Sequence, residues 1–257
     1  MSYIDSHAHL CGDELYQNIE EIIGSFPANN IKRVMLICCS KKDYQRALVL
    51  KEKYPYFDIA KGIHPESADK DRTSDLYLLQ EELKEGKIDL IGEIGLDYYW
   101  TKETKERQKE LFIKQLEIAD ESNLPIAVHS RDASEDTYQI LKEHHKSKSG
   151  VLHCFSGSKE MALRYLKLGY YLSFAGPITF SNAKTTAEVA ASIPLDRLLY
   201  ETDCPYLTPV PFRGKCNNPN LVIYTANKLA ELHDVSIEVL NKQIEINYER
   251  LLGRDRG

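Results

Sequence analysis

The sequence predicts an α/β barrel, eight strand-and-helix units closed into one ring, and three observations point to it. Short apolar runs alternate with longer stretches of helical period from one end of the chain to the other. Eight such runs share 257 residues, about 32 each, close to the length of one strand, one helix and their loops. No Gly-rich dinucleotide turn follows a strand, so the closed (β/α)8 TIM barrel is favoured over an open doubly wound sheet.

The elements follow in order. Strand candidates are Tyr3–His9, Arg33–Cys39, Phe57–Ile63, Leu90–Leu96, Pro125–His129, Gly150–Cys154, Tyr170–Ser173 and Arg197–Thr202. The longest helix pattern runs from Lys105 to Ser122, where Leu111, Phe112, Leu116, Ile118 and Ala119 recur every three to four residues. Asn123-Leu124-Pro125 stops it and opens the next strand. Asp132–His145, Lys159–Leu168 and Pro219–Leu232 read as further helices, and Ser236–Leu252 as an additional C-terminal helix with an Ile/Leu stripe. No Gly/Ser/Pro-rich linker interrupts the alternation, so residues 1–257 are expected to form a single domain. No fixed-period copy is present, which excludes a solenoid.

A chain of this length buries roughly 70–75% of its unfolded surface and needs no staples. The net charge of −6 argues against broad affinity for nucleic acid or anionic membrane, yet a bound metal pair would supply positive charge locally to a nucleic-acid substrate. The six cysteines (Cys11, Cys38, Cys39, Cys154, Cys204 and Cys216) form no CxxC pair. They read as reduced, mostly buried thiols of a cytoplasmic protein. Tyr3 to Leu10 already reads as a strand, so no secretory leader is expected. Apolar runs fall well short of the ~20 residues that cross a bilayer. No membrane association and no obligate protein partner are expected.

Position makes the histidines informative. His7 and His9 end strand one, Glu93 lies late in strand four, His129 ends strand five, His153 ends strand six and Asp203 follows strand eight. All strand C-termini of such a barrel emerge on its catalytic face, so six nitrogen and carboxylate ligands converge on one mouth. Residues i and i+2 share a strand face, so His7 and His9 project together, with Asp5 behind them. Glu93 has two carboxylate oxygens and can bridge two ions about 3.5–4 Å apart. Asp203 completes the ion held by His7 and His9; His129 and His153 complete the other. A single such histidine is more often a hydrogen-bonded core residue, and the joint placement carries the reading. The absence of thiolate suits Zn, Mn, Mg, Co or Ni. Cys154 and Cys204 neighbour ligands and are expected to point away, packing behind the barrel wall.

At these residues the chain resembles the TatD family of metal-dependent deoxyribonucleases, within the amidohydrolase-like barrel superfamily. The matching segments are IDSHAHL (4–10), GIHP (62–65), GEIGLDYY (92–99), QLEIA (115–119), LPIAVHSRDA (124–133), HCFSGS (153–158), LDRLLYETDCPYLTP (195–209) and RGK (213–215). The resemblance implies the same barrel, two divalent ions on His7, His9, Asp203, His129 and His153 with Glu93 shared, and 3′-to-5′ exonuclease or general DNase activity on single-stranded DNA or 3′ ends. Relatives linked to removal of D-amino acids from tRNA make a C–O or C–N hydrolase (a D-aminoacyl-tRNA deacylase, lactonase or amidase) the alternative. Strand four offers Glu93 and no lysine to carbamylate, which lowers the amidase reading. Family members usually continue RGK with RNEP; here Cys216 and Asn218 replace the arginine and the glutamate. Cysteine cannot grip phosphate bidentately as a guanidinium does.

Phosphodiester hydrolysis needs an activated water and charge stabilisation, and two cations supply both. Asp203 is the candidate proton acceptor. His64, the spare histidine of the catalytic face, is placed to hydrogen-bond a phosphate oxygen or protonate the leaving group, or is simply set by its turn. Arg131, Arg213 and Lys215 are candidate phosphate contacts, resting largely on the resemblance. Glu201 either orients a ligating histidine or forms an ion pair inside the barrel. Tyr98, Tyr99 and Trp100 either stack on a base or pack against the loop. A non-catalytic metal-binding protein is the rival from another class, and a complete ligand set on the catalytic face argues against it.

Overall fold

A computed structural model describes residues 2–147 and 149–254. Eight parallel strands lie in chain order: β1 (Tyr3–Ala8), β2 (Ile31–Cys38), β3 (Phe57–Lys61), β4 (Leu90–Asp97), β5 (Ile126–Arg131), β6 (Gly150–Leu152), β7 (Tyr171–Phe174) and β8 (Leu198–Tyr200). Between β1 and β2 come the short helices α1 (Asp13–Tyr16) and α2 (Ile19–Gly24). Each later connection carries one helix: α3 (Lys41–Lys53), α4 (Thr73–Leu83), α5 (Lys105–Ser122), α6 (Ser134–His144), α7 (Lys159–Leu168) and α8 (Lys184–Ala191). After β8 follow α9 (Val222–Leu232) and the additional C-terminal helix α10 (Ile237–Leu251). The expected (β/α)8 barrel is the fold.

Local chemistry sets these boundaries. Ser40, Ser158 and Ser236 cap α3, α7 and α10, each hydroxyl accepting a backbone N–H three residues on. Asn123 ends α5 in the left-handed region at φ 52, where its short polar side chain is tolerated. Pro219 belongs to a single 3-10 turn, so α9 starts at Val222 rather than at the proline. Strands β3 and β4 are buried on both faces, which is why they lack in–out alternation and are mostly apolar, with Asp58, Lys61, Glu93 and Asp97 the charged exceptions.

The ring closes between β8 and β1, and there the ladder is mostly replaced by side chains. Strand β8 spans only Leu198–Tyr200, shorter than the Arg197–Thr202 run expected. The Asp5 carboxylate accepts the Thr202 N–H at 2.9 Å and also its hydroxyl, and the Ser6 hydroxyl donates to the Tyr200 carbonyl at 2.9 Å. Burial pushes the Asp5 carboxyl up to about 8 despite these bonds. Above them, the Asp203 N–H donates to the His7 carbonyl (3.0 Å) and the His9 N–H to the Cys204 carbonyl (2.9 Å). The seam of the barrel is thus tied by the residues that carry the candidate ligands. Among the described residues no helix is long and apolar enough to cross a membrane.

Candidate metal centre

Glu93 sits at the middle of the barrel mouth because β4 is irregular there. Its register against β5 shifts between Ile91 and Ile94, re-aiming the side chain. Two residues on, Gly95 has φ +142, and a Cβ there would lie 2.0 Å from the His129 carbonyl oxygen. Only glycine lets β4 and β5 approach this closely. That approach brings Glu93 against His129.

The structure brings all six expected ligands together around this carboxylate. Glu93 Oε2 lies 3.3 Å from His7 Nε2 and 3.4 Å from His9 Nε2. Asp203 Oδ1 lies 3.7 and 3.5 Å from the same two nitrogens. These separations exceed the roughly 2.7–3.2 Å of ordinary hydrogen bonds. They approach the edges of a tetrahedron with metal–ligand bonds of about 2.0–2.2 Å, whose ligand atoms stand about 3.3–3.6 Å apart. The other oxygen, Oε1, lies 2.6 Å from His153 Nε2, 2.7 Å from His129 Nδ1 and 3.5 Å from His64 Nε2. One carboxylate therefore faces His7 and His9 with one oxygen and His129, His153 and His64 with the other.

The donor set fits a cation. His7 is 1% exposed, yet neither ring nitrogen has a hydrogen-bond partner, an arrangement too costly to keep unless something else satisfies Nε2. Burial and the neighbouring His153 hold His7 below the usual histidine range, in the neutral form that ligates. Burial opposes ionisation of Glu93, but the surrounding histidines, His153 foremost, hold it well below the carboxylate range.

Outer partners orient the ligands. His153 Nδ1 pairs with Glu201 Oε1 at 3.2 Å, and the same oxygen accepts the Cys154 N–H at 2.8 Å, so Glu201 orients a candidate ligand. His129 Nε2 pairs with Asp97 Oδ2 at 2.9 Å, while Asp97 Oδ1 accepts the N–H groups of Tyr99 (2.9 Å) and Trp100 (2.8 Å). Asp97 was not among the expected site residues. Its signal was its spacing: four residues after Glu93 on one strand, it shares that face. His64 Nδ1 accepts the Glu66 N–H at 3.3 Å, which leaves the proton of the neutral ring on Nε2, toward Glu93. A ring in that tautomer donates at Nε2 and is a poor metal ligand there.

A cleft of about 990 Å³ opens over this centre, lined by Arg131, Trp100, Tyr206 and Phe155 among others. Cys154 also lines it, and the expectation that it packs behind the barrel wall is corrected. Strand β6 stops at Leu152 and Cys154 turns at φ 44, so strict alternation no longer applies. Cys204 is fully buried. Arg213 and Lys215 do not line the cleft; they lie over the rings of Phe180 (4.5 Å) and Phe212 (5.6 Å). Asn218 caps the 3-10 turn before α9, accepting the Asn220 N–H, and the Cys216 thiol donates to Glu14 Oε1 at 3.5 Å.

An eight-stranded parallel barrel with a histidine–carboxylate cluster at its C-terminal mouth defines a metal-dependent hydrolase. The TatD related DNase family model matches residues 4–253. The chain is 43% identical over 248 residues to the Bacillus subtilis metal-dependent hydrolase YabD, covering 96% of this chain and 97% of that one. It is 40% identical over 262 residues to Escherichia coli K12 YcfH, another metal-dependent hydrolase, covering 99% and 97%. Among solved structures, the TatD homologue YjjV of Escherichia coli K12 superposes with a TM-score of 0.92 at 31% identity, covering 97% of each chain. The chain belongs to the TatD family.

Proposed function

We propose that this chain is a two-metal phosphodiesterase that cleaves DNA, with single-stranded DNA or 3′ ends as substrate. The observation that carries the proposal is Glu93: Oε2 faces His7 and His9, Oε1 faces His129 and His153. His7, His9 and Asp203 would hold one divalent ion, His129 and His153 the other, and Glu93 both; Mg, Mn, Zn, Co and Ni all suit this set. When bound, such ions clamp phosphate oxygens and make water acidic enough to attack at neutral pH.

The chain's own groups supply the rest. Asp203 turns Oδ1 toward His7 and His9, which leaves Oδ2 to take the proton of the attacking water. His64 presents Nε2–H to the leaving oxygen or to a phosphate oxygen. Arg131 contacts a phosphate within the cleft; Arg213 and Lys215 meet only phosphates beyond it.

The second reading is a C–O or C–N hydrolase such as a D-aminoacyl-tRNA deacylase. Asp43 and Glu66 line one wall of the cleft, and carboxylates there suit an ammonium-bearing ester. Single-stranded DNA, bis-p-nitrophenyl phosphate, a lactone and a D-aminoacyl-tRNA, each assayed with Mg, Mn and Zn, separate the two. Cleavage of DNA supports the proposal; DNA left intact with every metal while an ester is hydrolysed refutes it.

A further inference from the structure

We propose that Trp100 and Tyr206 form a two-sided stacking clamp for the unpaired bases flanking the scissile phosphate, an inference that rests on the phosphodiesterase reading. Trp100 lies in the turn after β4 and Tyr206 in the loop after β8. In a ring ordered β1 to β8, these strands stand on opposite sides of the mouth. Both side chains line the cleft, and both are 60% exposed. Glu93, from β4, and Asp203, beyond β8, line the same cleft.

Each aromatic is pinned to the centre it would serve. The Trp100 N–H donates to Asp97 Oδ1 at 2.8 Å, on the carboxylate that pairs with His129. The Tyr206 N–H donates to the Asp203 carbonyl at 3.1 Å, and its ring stands edge-on to His9 at 6.3 Å. Tyr99 packs edge-on against Trp100 at 4.7 Å. The Arg131 guanidinium lies 4.1 Å from the Tyr99 ring centre and 5.4 Å from that of Trp100, where it can meet the phosphate of a stacked nucleotide. Tyr98 is no part of the platform: it is buried, and its hydroxyl donates to Asp136 at 2.8 Å.

The geometry selects a strand state. Neighbouring bases of a duplex stack on each other and cannot reach opposite walls, whereas bases of a single strand splay and lie on separate rings. Stacking on an aromatic face is sequence-tolerant because every base offers a π-face.

Trp100 is the chain's one tryptophan, so indole emission reports this platform alone. The test titrates the Mn²⁺-loaded protein with a phosphorothioate oligothymidylate, which resists cleavage, and with an abasic strand and a duplex of equal length. Expected is quenching by the single strand and little by the other two. Trp100→Ala and Tyr206→Ala should each weaken binding of a labelled oligothymidylate, read by anisotropy, by roughly 5- to 150-fold, with recovery in Trp100→Phe and Tyr206→Phe. Equal quenching by the abasic strand or the duplex, or alanine variants within twofold of the parent, overturns the clamp. If the protein cleaves DNA but the abasic strand quenches equally, only the clamp fails. If no metal supports DNA cleavage, the nuclease reading fails whatever the emission does.

Discussion

Replacing Asp97 with asparagine changes one atom of a side chain that touches neither proposed ion, yet it should weaken one half of the centre. Asp97 Oδ1 accepts two backbone N–H groups, from Tyr99 and Trp100, so the asparagine must keep its oxygen there. Its NH₂ then faces His129 Nε2, at the position where the carboxylate now accepts at 2.9 Å. A donor cannot face a donor, so His129 must put its proton on Nδ1, the nitrogen 2.7 Å from Glu93 Oε1 that would bind the ion. Loss of an outer partner of this kind costs about 10- to 100-fold in metal affinity, or about 1.4–2.8 kcal/mol. The His7, His9 and Asp203 side has no contact with Asp97 and should keep its affinity. Calorimetric titration of Mn²⁺ into the metal-free protein would show two sites in the parent, and in Asp97→Asn one unchanged site and one weakened by that factor. Two unchanged sites, or equal loss at both, would refute the tautomer reasoning.

Three further outcomes are expected. His64→Ala, which removes the Nε2–H that would stabilise the leaving oxygen, should lose about 10²- to 10³-fold in kcat on DNA but far less on bis-p-nitrophenyl phosphate, whose leaving group needs no such stabilisation; equal losses would remove that role. Gly95→Ala should lower the unfolding free energy measured in urea by about 3 kcal/mol or more, because the added Cβ meets the His129 carbonyl oxygen at a φ that side chains avoid; an unchanged unfolding free energy contradicts it. Asp58 is buried beneath Tyr248, Arg33 and Arg254, and Arg254 with Arg33 outweighs burial to hold its carboxyl below the usual range. A carboxyl lowered by folding contributes stability above its unfolded value of about 3.9 and loses it as pH falls through the folded value. Asp58→Asn should therefore cost about 3 kcal/mol at pH 7, the lower end for breaking a buried pair because the arginine side chains are 24% and 30% exposed. The gap should narrow below pH ~4 in denaturation curves, and a constant gap would contradict the assignment.

Much of this molecule is legible in its residues because a parallel barrel buries strands on both faces. Phe57–Lys61 and Leu90–Asp97 therefore read as largely apolar runs without in–out alternation, and the C-terminal ends of the strands mark the catalytic mouth. The six candidate ligands are legible because they lie at or near the C-terminal ends of strands one, four, five, six and eight. What escaped the sequence is tertiary. The length of β8 depends on Asp5 standing in for ladder bonds, a contact between residues 197 apart. Cys154 faces the cleft because of a backbone turn that alternation does not encode. Arg213 and Lys215 lie on the expected loop but rest on Phe180 and Phe212 instead of lining the cleft. Asp97 shares a face with Glu93, but only the close approach at Gly95 reveals that it meets His129.

The central claim is that Glu93 joins two ions, and anomalous diffraction from crystals grown in Mn²⁺ tests it most directly. Two peaks about 3.5–4 Å apart, one against His7, His9 and Asp203 and the other against His129 and His153, with Glu93 between them, are the predicted result. One peak, or two peaks that the Glu93 carboxylate does not touch, would contradict it.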